Sequence, residues 1–399
     1  MDKTLADKKT VDKQTIYETL KKNAMLIILV LVYLFFLILT GGSIFSPSSF
    51  TELINQNAYV YILGAGMLIC MLTGGNIDLS CGAFVCLLGA IGGVFMIVQG
   101  WGTGVSILLL LLIGIGYGAV LGYLIAYVHI PPWIATLAGF LAFRGLGTSI
   151  LSANSKTGSL APFPTAFQNM FYGRILPTEK GTLNLPCFAL GLICAAAVIL
   201  ILLLNRRSRL AKGYEADTMR GVMVKGGISG AVIILVMTKL AMDGGIPTTL
   251  LWVAGIILIY SFITGKTTVG RHFYVLGGNI EAARLSGVNT RRVMFLAYLN
   301  MAVLTTVATF TVLARSQSAY ADVGKNFEMD AISACVVGGV SASGGAGTVL
   351  GMVIGATLIG VINLGMSLIS LDANYQRVVK GFVLLAAVVF DILSKKRAK

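Results

Sequence analysis

Apolar runs long enough, or nearly long enough, to cross a bilayer recur along the whole chain, at about 24–41, 58–73, 82–99, 105–128, 133–151, 187–204, 227–242, 246–264, 293–314, 347–369 and 377–394. A helical span takes about 20 predominantly apolar residues, so the pattern predicts an all-α polytopic membrane protein with about 10–12 transmembrane helices. One further segment, AISACVVGGVSASGG at 331–345, is apolar but too short and too glycine-rich for an ordinary span. It reads as a broken or re-entrant helix. A second break is expected near 74–82, where TGGNIDLSCG separates two apolar runs. The stretches GGNIDLSCGA (74–83) and GGVSASGGAG (338–347) resemble each other weakly, as two halves each contributing a broken helix to a central pathway would.

The polar intervals set the organisation. Of the 30 Lys and Arg residues, 21 fall in 1–23, 205–226, 265–292 and 395–399, and basic residues flanking spans mark the cytoplasmic side. These intervals are therefore expected in the cytoplasm, with 24–394 forming a single transmembrane domain and 152–186 the longest external loop. Counting 331–345 as a crossing puts both termini inside. The first apolar run follows 23 polar residues and is long enough to span, so it reads as a retained helix and not a cleaved signal peptide.

Composition agrees: 56% of the 399 residues are hydrophobic and 12% charged, with a mean hydropathy of +0.87. The net charge of +14 sits in blocks beside the spans, which is membrane topology and not a nucleic-acid footprint. The 6 cysteines lie mostly within apolar stretches without CxxC pairs or histidine neighbours, and read as small buried residues. The 48 glycines point to close helix contacts. Gly114, Gly118 and Gly122, and again Gly347, Gly351 and Gly355, recur at i, i+4 and i+8, a packing face more readily than a dinucleotide fingerprint. ITGKTTVG at 263–270 ends like a phosphate-binding loop but lacks its first glycine, since position 260 is Tyr260.

Chemistry-bearing candidates are few. Gly74, Gly75, Asn76, Asp78 and Ser80 in the first break, with Gly338, Gly339, Ser341 and Ser343 in the second, are candidates to line a translocation pathway, because non-helical backbone at membrane depth must be buried in protein or face water. Asp78 is also a candidate helix N-cap. Arg144 is an isolated intramembrane cation, as either a structural partner or a pathway residue, and an Asp78–Arg144 pair is one arrangement that would neutralise both. His129 and His272 stand apart in interfacial stretches, and no catalytic or metal-binding constellation assembles from spacing. In GGNIEAARLSGVNTRR, 277–292, Asn279 is placed to cap a short helix that Gly287 interrupts, with Thr290 capping the helix after it.

That last segment carries a specific resemblance. Glu281, Ala282 and Ala283, followed by Gly287, resemble the cytoplasmic EAA signature of permease subunits in bacterial ATP-binding-cassette importers. GGNIDLSCG, IPPWIATLAGFLAFRGL, TTVGRHFYVLGGNIEAARLSGV and VVGGVSASGGAGTVLGMVIGATLIGVINLGM are similar, in order, to hallmarks of the monosaccharide branch, with the extra stretch near 205–245 resembling its longer, xylose-type and multiple-monosaccharide members. Cys81 departs from the branch, where an aliphatic or small residue is commoner. The resemblance implies a homodimeric permease in the bacterial cytoplasmic membrane that performs no chemistry and needs no cofactor, driven by a separate ATPase subunit and supplied by an extracytoplasmic sugar-binding protein. It also implies that Gly277, Glu281, Ala282, Ala283, Gly287, Arg291 and Arg292 couple to the ATPase. An ion-coupled secondary transporter is the alternative, and it would be expected to place carboxylates or histidines in several spans. A channel is disfavoured because no filter motif is evident.

Overall fold

The computed structural model describes residues 24–216 and 218–396; the segment 1–23 and the last residues of the basic tail lie outside them. In chain order the helices are α1 (Ala24–Leu39), α2 (Pro47–Leu72), α3 (Cys81–Gly93, prolonged by a π-helical turn Val94–Val98), α4 (Thr103–Ala126) and α5 (Pro132–Asn154). Next come β1 (Ser159–Leu160), α6 (Thr165–Tyr172), β2 (Arg174–Ile175), α7 (Leu185–Ala211), α8 (Met219–Met242), β3 (Ile246–Pro247), α9 (Thr248–Lys266), α10 (Thr268–Gly278) and α11 (Ile280–Leu285). The chain closes with α12 (Thr290–Ser316), β4 (Ala319–Tyr320), α13 (Phe327–Val337), α14 (Val349–Leu368) and α15 (Ala373–Lys396).

Among the described residues, 9 helices are long and apolar enough to cross a membrane: α2, α3 with its π turn, α4, α5, α7, α8, α9, α12 and α14. Among the described residues, sheet is confined to two antiparallel two-residue pairs, β1 with β4 and β2 with β3. They tie the 155–184 region to the loops after α12 and α8, and so define one end of the molecule. The opposite end holds α10 and α11, where Gly277 packs on the Leu72 carbonyl that closes α2.

The interior is built from α2, α3, α12, α13 and α14. Their small and apolar side chains, Leu63, Met67, Leu68, Phe84, Met301, Ala308, Cys335 and Met352 among them, are essentially inaccessible. Around this core the other helices expose Leu31, Ile38, Leu141, Ile193 and Leu258. So much outward apolar surface suits lipid, not water.

The break at 331–345 is resolved as one short helix followed by a loop. After α12 the chain leaves the β1–β4 end as non-helical backbone, passes the middle of α5, and becomes helical only at Phe327; α13 then runs about 16 Å, half a bilayer core, toward the α10 end. Helix therefore starts four residues earlier than the apolar pattern suggests, and the glycine-rich 338–348 is a loop. Interval 205–226 also differs from expectation. Helices α7 and α8 extend beyond the apolar runs and leave only a short connection between Ala211 and Met219, because a 27-residue helix is about 40 Å long and outruns the hydrocarbon core.

Candidate functional site

The two breaks in the apolar pattern meet each other, and the segment 277–292 is fastened to both. Thr73 closes α2, and Gly74 and Gly75 come next with positive φ. The loop after α13 turns back so that the Gly345 amide donates to the Leu72 carbonyl at 3.1 Å. Gly75 faces the Ala342 carbonyl so closely that a β-carbon there would lie 2.0 Å from its oxygen. Gly277, near the end of α10, seals the junction: its missing β-carbon would stand 1.8 Å from the Leu72 oxygen, 2.5 Å from the Gly345 nitrogen and 2.9 Å from the Gly74 nitrogen. Only glycine permits three backbones to meet this way. Tyr274 adds a side-chain tie, donating to the Gly347 carbonyl at 2.9 Å. Asn76 folds over the Thr73 carbonyl at 3.1 Å, and Ser341 and Ser343 bond each other at 3.0 Å.

From this junction residues 76–80 climb into the protein and start α3 deep inside it. Asp78, 1% exposed, accepts from the Ser80 amide at 2.8 Å and the Ser80 hydroxyl at 2.5 Å. Ser80 is the cap residue of α3, and its hydroxyl also meets Tyr117 of α4 at 2.6 Å. Asp78 therefore organises the turn ahead of the helix and does not cap it directly. α13 begins beside this point, where Gly324 and Glu328 press on Gly82. Two helix N-termini thus converge in the interior with the carboxylates Asp78 and Glu328 in or just ahead of their first turns, where the helix dipole favours negative charge. Broken helices that aim their N-termini at the midplane are a recurrent way to build a transport site.

Arg144 does not pair with Asp78. Its Nη1 donates to the Ala321 carbonyl at 3.0 Å and the Val323 carbonyl at 2.8 Å, while Asp78 is engaged by Ser80. The arginine is needed where it is because the non-helical stretch before α13 has carbonyls without helical partners, which must be satisfied inside a membrane protein. Its Nη2 and Glu328 Oε2 remain buried without hydrogen bonds.

The exposed part of 277–292 is α11. Asn279 caps it, accepting from the Ala282 amide at 3.0 Å. At its other end the Val288 amide reaches the Ala283 carbonyl at 3.1 Å and the Gly287 amide reaches the Arg284 carbonyl at 3.0 Å, with Gly287 left-handed at φ 80°. This pair of bonds is the glycine-terminated helix stop. Ala283 is buried, whereas Glu281, Ala282, Arg291 and Arg292 face outward, as do Ile280 and the 88% exposed Leu285. The cap of α12 is Asn289, whose Oδ1 accepts from the Arg292 amide at 3.0 Å, not Thr290.

The glycine rows separate into different roles. A β-carbon on Gly114 would meet Thr306 Oγ1, one on Gly118 the Ala302 methyl and Leu299 backbone, and one on Gly122 the Phe295 carbonyl, so all three seat α4 against α12. Gly351 and Gly355 likewise seat α14 against the carbonyls of Gly338 and Ala334. Gly347 does not belong with them, because it precedes α14 with φ 151° and packs on Val340 in the loop. Gly339, at φ 81°, has open space around it.

Sequence patterning missed the charged interior. Asp330, 4% exposed, accepts from Tyr59 at 2.6 Å and pairs with Lys380 of α15 at 3.0 Å, and the Tyr59 ring stacks on Phe327 at 3.7 Å. Arg315 pairs with Glu52 near the β1–β4 end, where Arg174 also pairs with Asp243 at 2.8 Å. Burial would push the Asp243 carboxyl up, but the Arg174 and Lys180 charges hold it below the usual carboxylate range. These partners are separated by between 50 and 271 residues in sequence, so no local spacing signals them.

Long apolar helices thus surround two breaks that are clamped to each other and to the exposed α11. The profile described as branched-chain amino acid transport system / permease component matches residues 49–388, and the chain belongs to that family. It is 32% identical over 374 residues to the xylose transport system permease protein XylH of Haemophilus influenzae, covering 94% of this chain and 96% of that one. Against XylH of Escherichia coli K12 the identity is 31%, with coverage of 94% and 92%. The ribose import permease protein RbsC of Bacillus subtilis is 31% identical over 349 residues, with coverage of 88% and 86%. No solved structure matches. These relationships make the chain a permease subunit of the xylose and ribose type of ATP-binding-cassette importer, a transport subunit and not an enzyme.

Proposed function

We propose that this permease carries a monosaccharide inward across a bacterial cytoplasmic membrane as a homodimer, with the α10–α11 end and both termini in the cytoplasm and the β1–β4 end outside. A separate ATPase subunit grips the outward Glu281 and Ala282 of α11 and the outward Arg291 and Arg292 at the start of α12, and a sugar-binding protein delivers its cargo to the 152–186 side. The observation that carries this reading is the backbone junction at Gly277. A push on α11 acts through the single Asn279 link and α10 on the ends of both broken segments at once. ATP binding and release then shift the population between inward-open and outward-open arrangements. Gly74, Gly75, Asn76, Ser341 and Ser343 form the moving inner gate, and Asp78 and Ser80 lie directly above it.

Buried Asp78, Glu328 and Asp330 are what an ion-coupled carrier would also display. Two of the three already have partners, however, Asp78 in Ser80 and Asp330 in Tyr59 and Lys380, and the third lies at a helix N-terminus.

Gly287→Asp tests the grip. The position has open space and a left-handed backbone that Asp tolerates, so the variant inserts and folds. It places a carboxylate on the contact surface, and its permease should purify without the ATPase subunit and lose uptake. Glu281→Ala should be milder, because a carboxylate at a helix start contributes about 1 kcal/mol or less. Full assembly and uptake in the Gly287→Asp variant would reduce 277–292 to a connector.

A further inference from the structure

At the end of the molecule opposite the handle, a cavity of about 360 Å³ opens between the first turns of α2, the last turns of α14 and the β2–β3 connections. α2 is 26 residues long, so this cavity lies roughly 35 Å from the Gly277 junction. We propose that it is a sugar subsite, where one uncharged monosaccharide rests after leaving its binding protein and before the interior opens. The proposal rests on the importer reading and adds to it a place and a set of recognising groups.

Three observations support it. First, α2 is apolar over most of its length but presents Ser48, Glu52, Asn55 and Tyr59 at spacings of four, three and four, which is one helical face. Ser48, Glu52 and Asn55 line the cavity, and Tyr59, one turn deeper, lines the next pocket inward together with Asp330. The polar stripe thus leads from the outer cavity toward the Asp330–Lys380 pair. Second, Asn55 is only 9% exposed, and its Oδ1 is buried without a hydrogen-bond partner. A buried amide oxygen left unpaired costs free energy, and a rotation of the Asn55 amide toward the cavity that the residue lines would let a ligand hydroxyl satisfy it. Third, the lining charges balance. Arg174 and Lys180 both face Asp243, and Glu52 is paired with Arg315, so every lining carboxylate is already countered and the cavity offers donors and acceptors with no unpaired negative charge. Such a lining favours a polyhydroxyl ligand over an anion or cation, and the volume falls within the range of about 300–1,000 Å³ typical of small-molecule pockets.

Ser48 is exposed on the cavity wall and reports occupancy without requiring transport. The experiment uses the full chain, assembled with its ATPase subunit in proteoliposomes, with the binding protein added outside for uptake measurements, carrying Ser48→Cys and with the exposed Cys194 replaced by alanine. Labelling by a membrane-impermeant maleimide is followed with and without D-xylose or D-ribose at high concentration, with sodium gluconate as the charged control. At least one of the two sugars should slow labelling threefold or more while gluconate does not, and adding Asn55→Ala should abolish the protection. Equal labelling rates with and without each sugar, in a complex that still imports one of them with ATP, would overturn the subsite and leave the importer reading intact. Absence of ATP-dependent uptake of every monosaccharide by the wild-type complex would instead remove the importer reading, and the subsite with it. Protection that survives Asn55→Ala, or is equalled by gluconate, would also refute it.

Discussion

Gly277→Ala is the smallest change that addresses the junction. The added methyl would sit 1.8 Å from the Leu72 carbonyl oxygen, about half a van der Waals contact, with the Gly345 and Gly74 nitrogens at 2.5 and 2.9 Å. All three obstacles are backbone atoms, so no side chain can swing away. Relief requires α10 to lift off the ends of α2 and the 338–348 loop, and the Gly345-to-Leu72 hydrogen bond is lost in the process. Overpacking of this kind costs typically 1–3 kcal/mol, and a broken backbone hydrogen bond adds about 1 kcal/mol. A total of about 2–4 kcal/mol lowers the clamped population relative to the released one by roughly 30-fold to 1,000-fold. Gly278→Ala is the matched control, since that position has nothing within 4 Å of an added methyl. Both permeases are reconstituted with the ATPase and binding protein, and sugar uptake per ATP hydrolysed is measured. Gly277→Ala should retain the ATPase subunit, because α11 is untouched, but lose at least tenfold in uptake per ATP, while Gly278→Ala stays within twofold of wild type. Equal coupling in the two variants would refute the clamp.

Packing and charge pairing set three other outcomes. Gly118→Leu should sharply reduce the yield of folded protein in fluorescence-detected size-exclusion chromatography, because even a β-carbon at that site lies 2.8 Å from the Ala302 methyl and 3.0 Å from the Leu299 backbone. Lys380→Met strands Asp330 in the interior with only Tyr59, which should cost about 2–4 kcal/mol and lower thermal stability in nanodiscs. Adding Asp330→Asn should restore most of the loss. The Asp243 carboxyl is held below its unfolded pKa, so its contribution is complete above about pH 4 and is lost as pH falls through the folded value. Proteolysis of the 155–184 segment should therefore be unchanged between pH 7 and 5 and accelerate only below about pH 4, whereas Asp243→Asn should be susceptible at neutral pH.

Much of the fold was legible because lipid imposes a simple code, and a long apolar run has few alternatives to a spanning helix. The code fails where a helix faces protein. The outer turns of α2, Ser48 to Asn57, are polar and lie outside the apolar run at 58–73, yet they are helical because their polar side chains find partners or a cavity inside the molecule. It fails again at residues 317–326, a run of turns inside the protein whose Ala321 and Val323 carbonyls are satisfied by Arg144, from a helix distant in sequence. The likeness of the two glycine-rich breaks was readable, but their contact through Gly75, Ala342 and Gly344 was not. Asn279 and Gly287 were readable as helix punctuation because those signals are local. The Tyr59–Asp330–Lys380 group was invisible for the opposite reason, since only tertiary packing brings its members together.

ATP-driven import is tested by uptake of radiolabelled D-xylose and D-ribose into proteoliposomes containing the permease, its ATPase subunit and its binding protein, with either ATP inside or an imposed proton or sodium gradient. Uptake of at least one of the sugars that requires ATP and all three components, and is unaffected by collapsing ion gradients, is the predicted result. Uptake by the permease alone, driven by an ion gradient without ATP, would contradict it and assign Asp78, Glu328 and Asp330 to ion coupling.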